Sequence, residues 1–112
     1  MSRLSTHVLD VALGRPASGV PVRLEVLEGE SWRLLATDVT DADGRARDLL
    51  AGAALLPRTY RLTFETGAYF QSTGRAAFYP RVEVTFQVTA PGEPHHVPLL
   101  LSPFGYSTYR GS

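Results

Sequence analysis

The sequence predicts an all-β protein, a two-sheet sandwich of seven to eight short strands with one short helix. Three observations carry this prediction. Apolar residues alternate with polar ones in most segments, which is the period of a strand with one buried face. Turns rich in Gly, Pro and Asp separate these segments at short intervals. The stretch 67–74 is bounded by glycines and lacks alternation, which favours one or two turns of helix.

The strands are predicted from alternation, and the clearest of them is 82–88. Four apolar residues alternate with polar ones in that segment, so its apolar face should lie in the core. Segment 51–57 fits either an apolar loop or a brief helical turn, and its composition does not decide between them. In chain order the predicted strands are 4–11, 20–27, 32–39, 46–50, 59–65, 82–88 and 96–101.

Two positions near the turns carry further structural predictions. The dipeptide Asp43-Gly44 favours a tight turn immediately before Arg45, so a backbone of fixed shape should aim that arginine. Pro98 lies inside the last apolar run. Because proline has no N–H to donate to a strand ladder, Pro98 is expected at a sheet edge or a bulge.

Length and composition limit the classes of function. With 112 residues and 44% hydrophobic content, the chain predicts a single domain over residues 1–112. Eleven basic and eleven acidic residues cancel, so neither nucleic acid nor a membrane is an expected partner. The absence of cysteine excludes disulfides and thiolate chemistry. Without a long apolar leader the protein is expected to be cytoplasmic, and its net charge near zero favours a closed assembly.

Chemistry must therefore come from His, Arg, Ser, Thr or carboxylates. His95 and His96 are adjacent, so on a strand they point to opposite faces and do not readily share a metal. His7 is too distant in sequence to form a local ligand motif with them, and no metal is expected. Neither a Gly-x-Ser-x-Gly motif nor a Gly-rich phosphate loop occurs. Composition alone does not separate Arg45 from Arg47 as a functional residue.

The end of the sequence is unusual for a chain terminus. Residues 104–112 are rich in Gly, Ser and Thr, a composition that ordinarily frays. They also contain two tyrosines and an arginine, which are side chains suited to docking on another surface. We therefore expect this tail to pack against a partner surface.

Three separated stretches are distinctive when taken together. They are Leu4-Ser5-Thr6-His7-Val8-Leu9-Asp10, Asp43-Gly44-Arg45, and the run His96-Val97-Pro98-Leu99-Leu100-Leu101-Ser102-Pro103 that leads to Tyr109-Arg110-Gly111-Ser112. They resemble the 5-hydroxyisourate hydrolases, the transthyretin-related enzymes of urate degradation. The terminal Tyr-Arg-Gly-Ser is the specific element, because the hormone-carrying transthyretins that share the fold lack it. One departure is Pro94-His95-His96, which stands where the family commonly has His-Tyr-His.

The resemblance implies a transthyretin-like sandwich that forms a homotetramer with active sites in clefts between dimers. The implied reaction is hydrolysis of 5-hydroxyisourate to 2-oxo-4-hydroxy-4-carboxy-5-ureidoimidazoline, without metal or cofactor. In this interpretation two histidines activate water and shuttle protons, an arginine binds and polarises the substrate, and the tail closes the cleft. The implied catalytic residues are His7, Arg45, His96 and Ser112, which also bind substrate together with Tyr109, Arg110 and Gly111.

Two alternatives stay open at this stage. A transthyretin-like protein can carry a small aromatic ligand without converting it, because one fold hosts many functions. A β-sandwich can also be a structural domain of an adhesin or a peptidase accessory region. The joint presence of His7, Arg45, His96 and the terminal motif disfavours the carrier. The structural domain would be expected to have flanking sequence, whereas the motif here ends at the final residue.

Overall fold

The alternating segments become strands that form two sheets around a shared core. The computed structural model describes residues 3–111, and this part of the chain contains nine strands and one helix. The predicted all-β sandwich with one short helix is thus confirmed. In chain order the elements are β1 (Leu4–Asp10), β2 (Arg15–Pro16), β3 (Pro21–Glu28), β4 (Ser31–Val39), β5 (Arg45–Ala46), β6 (Thr59–Phe64), α1 (Thr66–Ser72), β7 (Val82–Gln87), β8 (His95–Ser102) and β9 (Gly105–Thr108).

The first sheet is organised around β1. Its order is β2-β1-β8-β9, and β5 pairs with β1 as well. The second sheet has the order β4-β3-β6-β7. All pairs are antiparallel except β1 with β8, which run parallel with Leu4 beside His95 and Asp10 beside Leu101. This parallel pair places the residues of two distant sequence segments in register.

Strand alternation divides β1 between the core and the outer face of the first sheet. Leu4, Thr6 and Val8 are buried, whereas Ser5 and His7 remain partly exposed. The predicted face assignment of β1 is therefore correct. The core itself is filled by large side chains from both sheets and from α1. Among those that are fully buried are Tyr60, Phe64, Phe70, Leu24, Leu62, Leu99 and Leu101.

The apolar face of β7 packs against the core as predicted, but the middle of this face is covered incompletely. Val82 is buried, but Val84 and Phe86 are only half-buried. The reason is that β7 is the edge strand of the second sheet, so part of this face borders an open cleft.

The secondary structure differs from the sequence prediction in three places and decides one segment, 51–57, that was left open. The predicted strand at 46–50 is reduced to β5, and residues 51–57 form turns and loop without helix. Ala51 and Gly52 have φ values of 51° and 86°, a left-handed conformation that interrupts regular structure. Two further strands form where none was predicted, β2 in the Gly- and Pro-containing turn and β9 in the tail.

Pro98 lies in a strand that has neighbours on both sides, not in an edge strand. The ladder between β8 and β9 stops at Leu99 opposite Thr108 and resumes as one bridge between His96 and Gly111, in the same register. The prediction of an edge or a bulge was therefore wrong. The physical requirement is met in another way, since the missing N–H of proline coincides with a gap in the ladder. The Thr108 hydroxyl donates to the Pro98 carbonyl there, at 2.7 Å.

Helix α1 is tied to the first sheet through Asp10, which is fully buried. The Tyr69 hydroxyl donates to Asp10 Oδ2 at 2.7 Å, the Leu13 N–H donates to Oδ1 at 3.0 Å, and Arg75 forms an ion pair with the same carboxylate. Burial raises the pKa of Asp10, but the hydrogen bonds from Arg75, Tyr69 and Leu13 outweigh it, so the net pKa is lowered.

An Arg75→Ala substitution is expected to lower the free energy of unfolding by about 2 kcal/mol at pH 7, because it removes a charged hydrogen-bond partner from a buried carboxylate. The folded pKa of Asp10 is below its unfolded value, so this stabilisation is complete above about pH 4 and is lost as the pH falls through the folded pKa. Urea unfolding from pH 7 to pH 3 measures both effects.

The control for this prediction is Arg33→Ala, which removes an ion pair with Glu28 between two exposed side chains. We expect it to change stability by less than about 0.5 kcal/mol. An equal loss in both variants, or a loss at Arg75 that does not diminish at acid pH, would contradict the role given to Asp10.

Candidate active site

A tight turn fixes Arg45 against β1. Asp41 Oδ1 accepts the N–H groups of Asp43 at 2.9 Å and Arg45 at 3.0 Å. Gly44 has a φ of 77°, and a Cβ at this position would overlap the carbonyl oxygen of Val8. The Val8 N–H in turn donates to the Gly44 carbonyl at 2.7 Å. Only glycine allows so close an approach in this conformation, so the turn before Arg45 has the fixed shape that the sequence predicts.

Cross-strand pairing brings four of the predicted site residues together on the outer face of the first sheet. Arg45 of β5 lies opposite His7 of β1. His96 of β8 lies opposite Ser5, two residues before His7. Gly111 bridges to His96 from the other side. Residues directly opposite each other in a sheet share a face, so Arg45 and His7 occupy one rung of this face, and His96 and Gly111 occupy a neighbouring rung. We call these four residues the row of site residues.

The imidazole of His96 is held on two sides. Its Nδ1 lies 2.9 Å from Ser5 Oγ. On the other side the Gly111 N–H donates to the His96 carbonyl at 2.7 Å, and a Cβ on Gly111 would lie 2.6 Å from the ring carbon Cδ2. Burial lowers the pKa of His96, and the positive charge of Arg45 and the proximity of His7 lower it further, against a hydrogen bond with the Ser5 backbone that raises it. His96 is therefore neutral at neutral pH.

His7 is held by a backbone carbonyl. Its Nε2 lies 2.9 Å from the carbonyl oxygen of Asp43, in the turn that carries Arg45. A carbonyl oxygen accepts a hydrogen bond and donates none, so the neutral imidazole carries its proton on Nε2. The Nδ1 atom is then left with a lone pair that can take a proton.

A cleft of about 300 Å³ opens beside this row of residues. Three arginines and, among residues 3–111, no carboxylate border it, so it suits an electron-rich or anionic ligand. His7 borders a second concavity together with Asp43, and Arg45 and Arg47 line both concavities. The residues that line the first cleft are Arg3, Ser5, Thr6, Arg45, Arg47, Pro94, His95 and His96.

The two arginines that composition could not separate differ in their partners. Arg47 pairs with Asp41 at 3.6 Å and with Asp43 at 3.3 Å. Within residues 3–111, the Arg45 side chain has no carboxylate partner. Its guanidinium is thus available to a ligand, whereas that of Arg47 is already engaged.

The remaining predicted site residues lie on the tail. Tyr109 and Arg110 border a different cleft, of about 240 Å³, together with Val84 and Phe86 of β7. Arg110 pairs with Glu93 at 2.9 Å, which anchors the tail to the loop before β8. Ser112 lies outside the described residues. The structure therefore places Gly111, but not Tyr109 or Arg110, beside His96.

Sequence reasoning assigned no role to two residues that organise this site. Ser5 contacts His96, and Asp41 fixes the turn before Arg45. Strand alternation contains a signal for Ser5, since it shares a face with His7, but its contact with His96 depends on the pairing of β1 with β8. His95 is buried and its Nδ1 bonds to the Glu93 carbonyl, so the two adjacent histidines do face opposite ways.

Neither a metal centre nor a membrane span is found in the described part of the chain. Between residues 3 and 111, no three His, Asp or Glu side chains are grouped closely enough to hold a metal ion. No helix in the same range has the length and apolar content needed to cross a membrane.

Comparison with known proteins places the chain in a family. Residues 4–111 match the model of the HIUase/Transthyretin family. The mouse protein named 5-hydroxyisourate hydrolase is 49% identical over 113 residues, which cover 99% of this chain and 96% of the mouse protein. The structure of Klebsiella pneumoniae 5-hydroxyisourate hydrolase superposes with a TM-score of 0.88 at 45% identity, with full coverage of both chains. Sea bream transthyretin, solved in complex with thyroxine, gives a TM-score of 0.91 at 32% identity and covers 96% of this chain and 93% of its own. With the family model matched over nearly the whole chain, this protein belongs to the HIUase/Transthyretin family.

Proposed function

We propose that this protein hydrolyses 5-hydroxyisourate to 2-oxo-4-hydroxy-4-carboxy-5-ureidoimidazoline, a step in urate degradation. The observation that carries the proposal is the identity of 49% to the mouse enzyme and 45% to the Klebsiella enzyme, both named for this activity. The row formed by Arg45, His7 and His96 supports it, because this row supplies the groups that the reaction requires.

The reaction adds water across a ring carbonyl–nitrogen bond. A base takes one proton from water, and the water oxygen bonds to the carbonyl carbon to give a tetrahedral oxyanion. The carbon–nitrogen bond then breaks, the nitrogen takes up a proton, and the former carbonyl becomes a carboxylate. The protein must supply a proton acceptor, a donor for the leaving nitrogen and a positive group near the oxyanion.

The proposed roles follow from the state of each side chain. His7 with its free Nδ1, and His96 with its lowered pKa, are both able to accept a proton at neutral pH. Each positioned acid or base contributes a factor of about 10²–10⁴ in rate. Arg45 has no carboxylate partner within residues 3–111, so its planar guanidinium is free to bind the polar ring and stabilise the oxyanion.

We propose that the tail, residues 109–112, closes the cleft and orients these groups. The contacts of Gly111 with His96 and of Arg110 with Glu93 support this role, as does the hydrogen bond from Thr108 to Pro98. The contributions of Tyr109, Arg110 and Ser112 to substrate binding are part of the same proposal. Closure of the site by a short segment is a common way for an enzyme to exclude water.

A homotetramer of single-domain protomers is also proposed. An exposed aromatic cluster supports an assembly, since Phe78 and Phe104 are 69% and 70% exposed and Tyr79 contacts both Phe78 and Tyr106. Light scattering should give a mass four times the 12.2 kDa of one chain. A cytoplasmic location is proposed as well, and a chain without cysteine fits a reducing compartment.

The test of the function is the ultraviolet absorbance of freshly generated 5-hydroxyisourate. Purified protein should accelerate the loss of this absorbance over the spontaneous decay. A small-ligand carrier, such as a transthyretin that binds thyroxine, would bind the compound and leave the decay unchanged or slower. An unchanged decay would therefore refute the hydrolase and favour the carrier.

A Gly111→Ala substitution is expected to lower kcat by up to about 10²-fold, because a displacement of about 1 Å in a catalytic group has an effect of this size. The new Cβ would lie 2.6 Å from His96 Cδ2 and 3.2 Å from Pro98 Cγ. Since the proline ring is rigid, the imidazole or the tail must move. The absorbance assay measures the loss, and thermal unfolding should be nearly unchanged.

Gly105→Ala is the matched control in the same tail. Its Cβ would meet only Ser102 Oγ, at 3.8 Å, which is an ordinary contact. We expect this variant to keep wild-type activity. A fully active Gly111→Ala variant would show that the close approach of the tail to His96 has no role in catalysis.

A further inference from the structure

The surroundings of His96 leave one edge of its ring free to meet a substrate. Nδ1 is bonded to Ser5 on the neighbouring strand, and Cδ2 faces Gly111 on the tail. These two atoms flank Cγ, where the ring joins the backbone. The opposite edge of the ring is formed by Cε1 and Nε2. Since His96 borders the cleft, Nε2 is the nitrogen that a ligand there would meet.

The partner of Nδ1 is a hydroxyl, which differs chemically from the carbonyl that holds His7. A serine hydroxyl donates one hydrogen bond and accepts others. Ser5 therefore remains bonded to Nδ1 whether that nitrogen carries a proton or not. The Asp43 carbonyl on Nε2 of His7 accepts only, so it favours a single neutral form of that ring.

We propose that Ser5 is a positioning residue for His96, whose hydroxyl occupies Nδ1 in every protonation state so that Nε2 both accepts and donates the proton. This inference rests on the proposed hydrolase function. With Nδ1–H donated to Ser5 Oγ, the lone pair of Nε2 takes a proton from water and the ring becomes an imidazolium. The same Nε2–H is then given to the leaving nitrogen, and the ring returns to its starting form.

The local position of Ser5 is suited to this role. It is partly buried on β1, in register with His96, and both residues border the same cleft. The charged and titratable groups around His96 come from other elements: Arg3 before β1, His7 on β1, and Arg45 and Arg47 at β5. Among residues 3–111 no carboxylate borders this cleft, and the Ser5 hydroxyl is the side-chain group that bonds to Nδ1 of His96.

The test compares Ser5→Ala, Ser5→Thr and the wild-type protein. Loss of the hydroxyl should lower kcat about tenfold and change KM by less than twofold, because the ring loses its orientation while the cleft keeps its shape. Ser5→Thr restores a hydroxyl on a strand that tolerates β-branched residues, and should recover most of kcat. Ser31→Ala, at an exposed position on β4, is the matched control and should behave as wild type.

A second measurement does not depend on activity. Nitrogen-15 NMR of the ligand-free protein reports the protonation and pKa of each histidine ring. Ser5→Ala removes the hydroxyl beside Nδ1 and leaves the Ser5 backbone in place, so the Nδ1 resonance of His96 should shift relative to the wild-type protein. His7 should keep its proton on Nε2 in both proteins.

The outcomes separate the two proposals. If the wild-type protein does not accelerate the decay of 5-hydroxyisourate, the proposed function is wrong. The NMR comparison then still shows whether Ser5 holds the His96 ring. An active Ser5→Ala variant with unchanged kcat, pH profile and His96 resonances refutes the positioning role alone. Equal losses in Ser5→Ala and Ser5→Thr would show that packing, not the hydroxyl, is what His96 requires, and would also overturn the proposal.

Discussion

A His96→Asn variant is expected to lose a factor of about 10²–10⁴ in kcat for 5-hydroxyisourate, because the side chain no longer takes up a proton. Asparagine keeps a polar atom near the position of Nδ1, so the contact with Ser5 can survive. The ring normally sits partly exposed at the cleft, so its loss leaves no cavity in the core. The absorbance assay gives kcat, and thermal unfolding should change little.

The same role of His96 predicts how kcat/KM of the wild-type protein depends on pH. Burial and the nearby Arg45 hold the pKa of His96 below its usual value of 6.5. The base form of His96 therefore persists below pH 6.5, and kcat/KM should begin to fall only at more acid pH. This acid limb should be absent or altered in the His96→Asn variant.

The adjacent histidine, His95, provides a control for the His96 substitution. His95 also borders the cleft, but it is only 5% exposed and its Nδ1 is bonded to the Glu93 carbonyl. His95→Asn should lower the unfolding temperature, whereas kcat measured well below that temperature should stay close to wild type. If His95→Asn abolished activity in a folded protein and His96→Asn did not, the assignment of His96 would be wrong.

An Arg45→Ala variant is expected to lower kcat/KM by about 10²–10³, the usual effect of removing one group that stabilises an oxyanion. Arg45 is aimed by the turn that Asp41 and Gly44 fix, and its pairing with His7 places it on the outer face. Arg45→Lys keeps the charge but loses the planar fork, so it should recover only part of the activity. Steady-state kinetics of the three proteins test this order.

Arg47→Ala is the matched control, two residues away on the same cleft. Its guanidinium is engaged by Asp41 and Asp43 in ion pairs that are mostly exposed and together stabilise little. We expect its effect on kcat/KM to be within about fivefold. Equal losses at both positions would show that the cleft requires only positive charge, and would remove the specific role of Arg45.

The Arg45→Ala substitution should also change the pKa of His96. Without the positive charge of Arg45 the pKa of His96 should rise towards its ordinary value, since only burial and His7 would then hold it down. The acid limb of kcat/KM should move to higher pH in Arg45→Ala and stay in place in Arg45→Lys. The opposite shift would contradict the electrostatic coupling between these two side chains.

Local patterns predicted much of the fold because they depend on neighbouring residues. Alternation assigned Ser5 and His7 to one face of β1 and placed His95 and His96 on opposite sides, and the Asp43-Gly44 turn has the predicted position. Alternation did not indicate that β7 is an edge strand, because edge position depends on the order of strands in the sheet.

The site depended on information that local patterns do not contain. Composition and spacing did not choose Arg45 over Arg47, and the difference lies in their carboxylate partners. The parallel pairing of β1 with β8 brings Ser5 to His96, and no periodic pattern encodes which distant strands pair. The family resemblance named His7, Arg45 and His96 as a set, and the structure places all three on one face of the first sheet.

The parallel pairing of β1 with β8 also determines when the site can arise during folding. Ser5 and His96 are separated by 91 residues, so β1 cannot pair with β8 until the intervening sequence, which contributes the second sheet, has been synthesised. Contacts of such long range are typical of chains that fold on a timescale of about milliseconds to seconds. A nascent chain whose β8 is not yet available for pairing therefore contains His7 and Arg45 but cannot place His96 beside them. Activity should appear in one step with closure of the sandwich, and incomplete chains should have none.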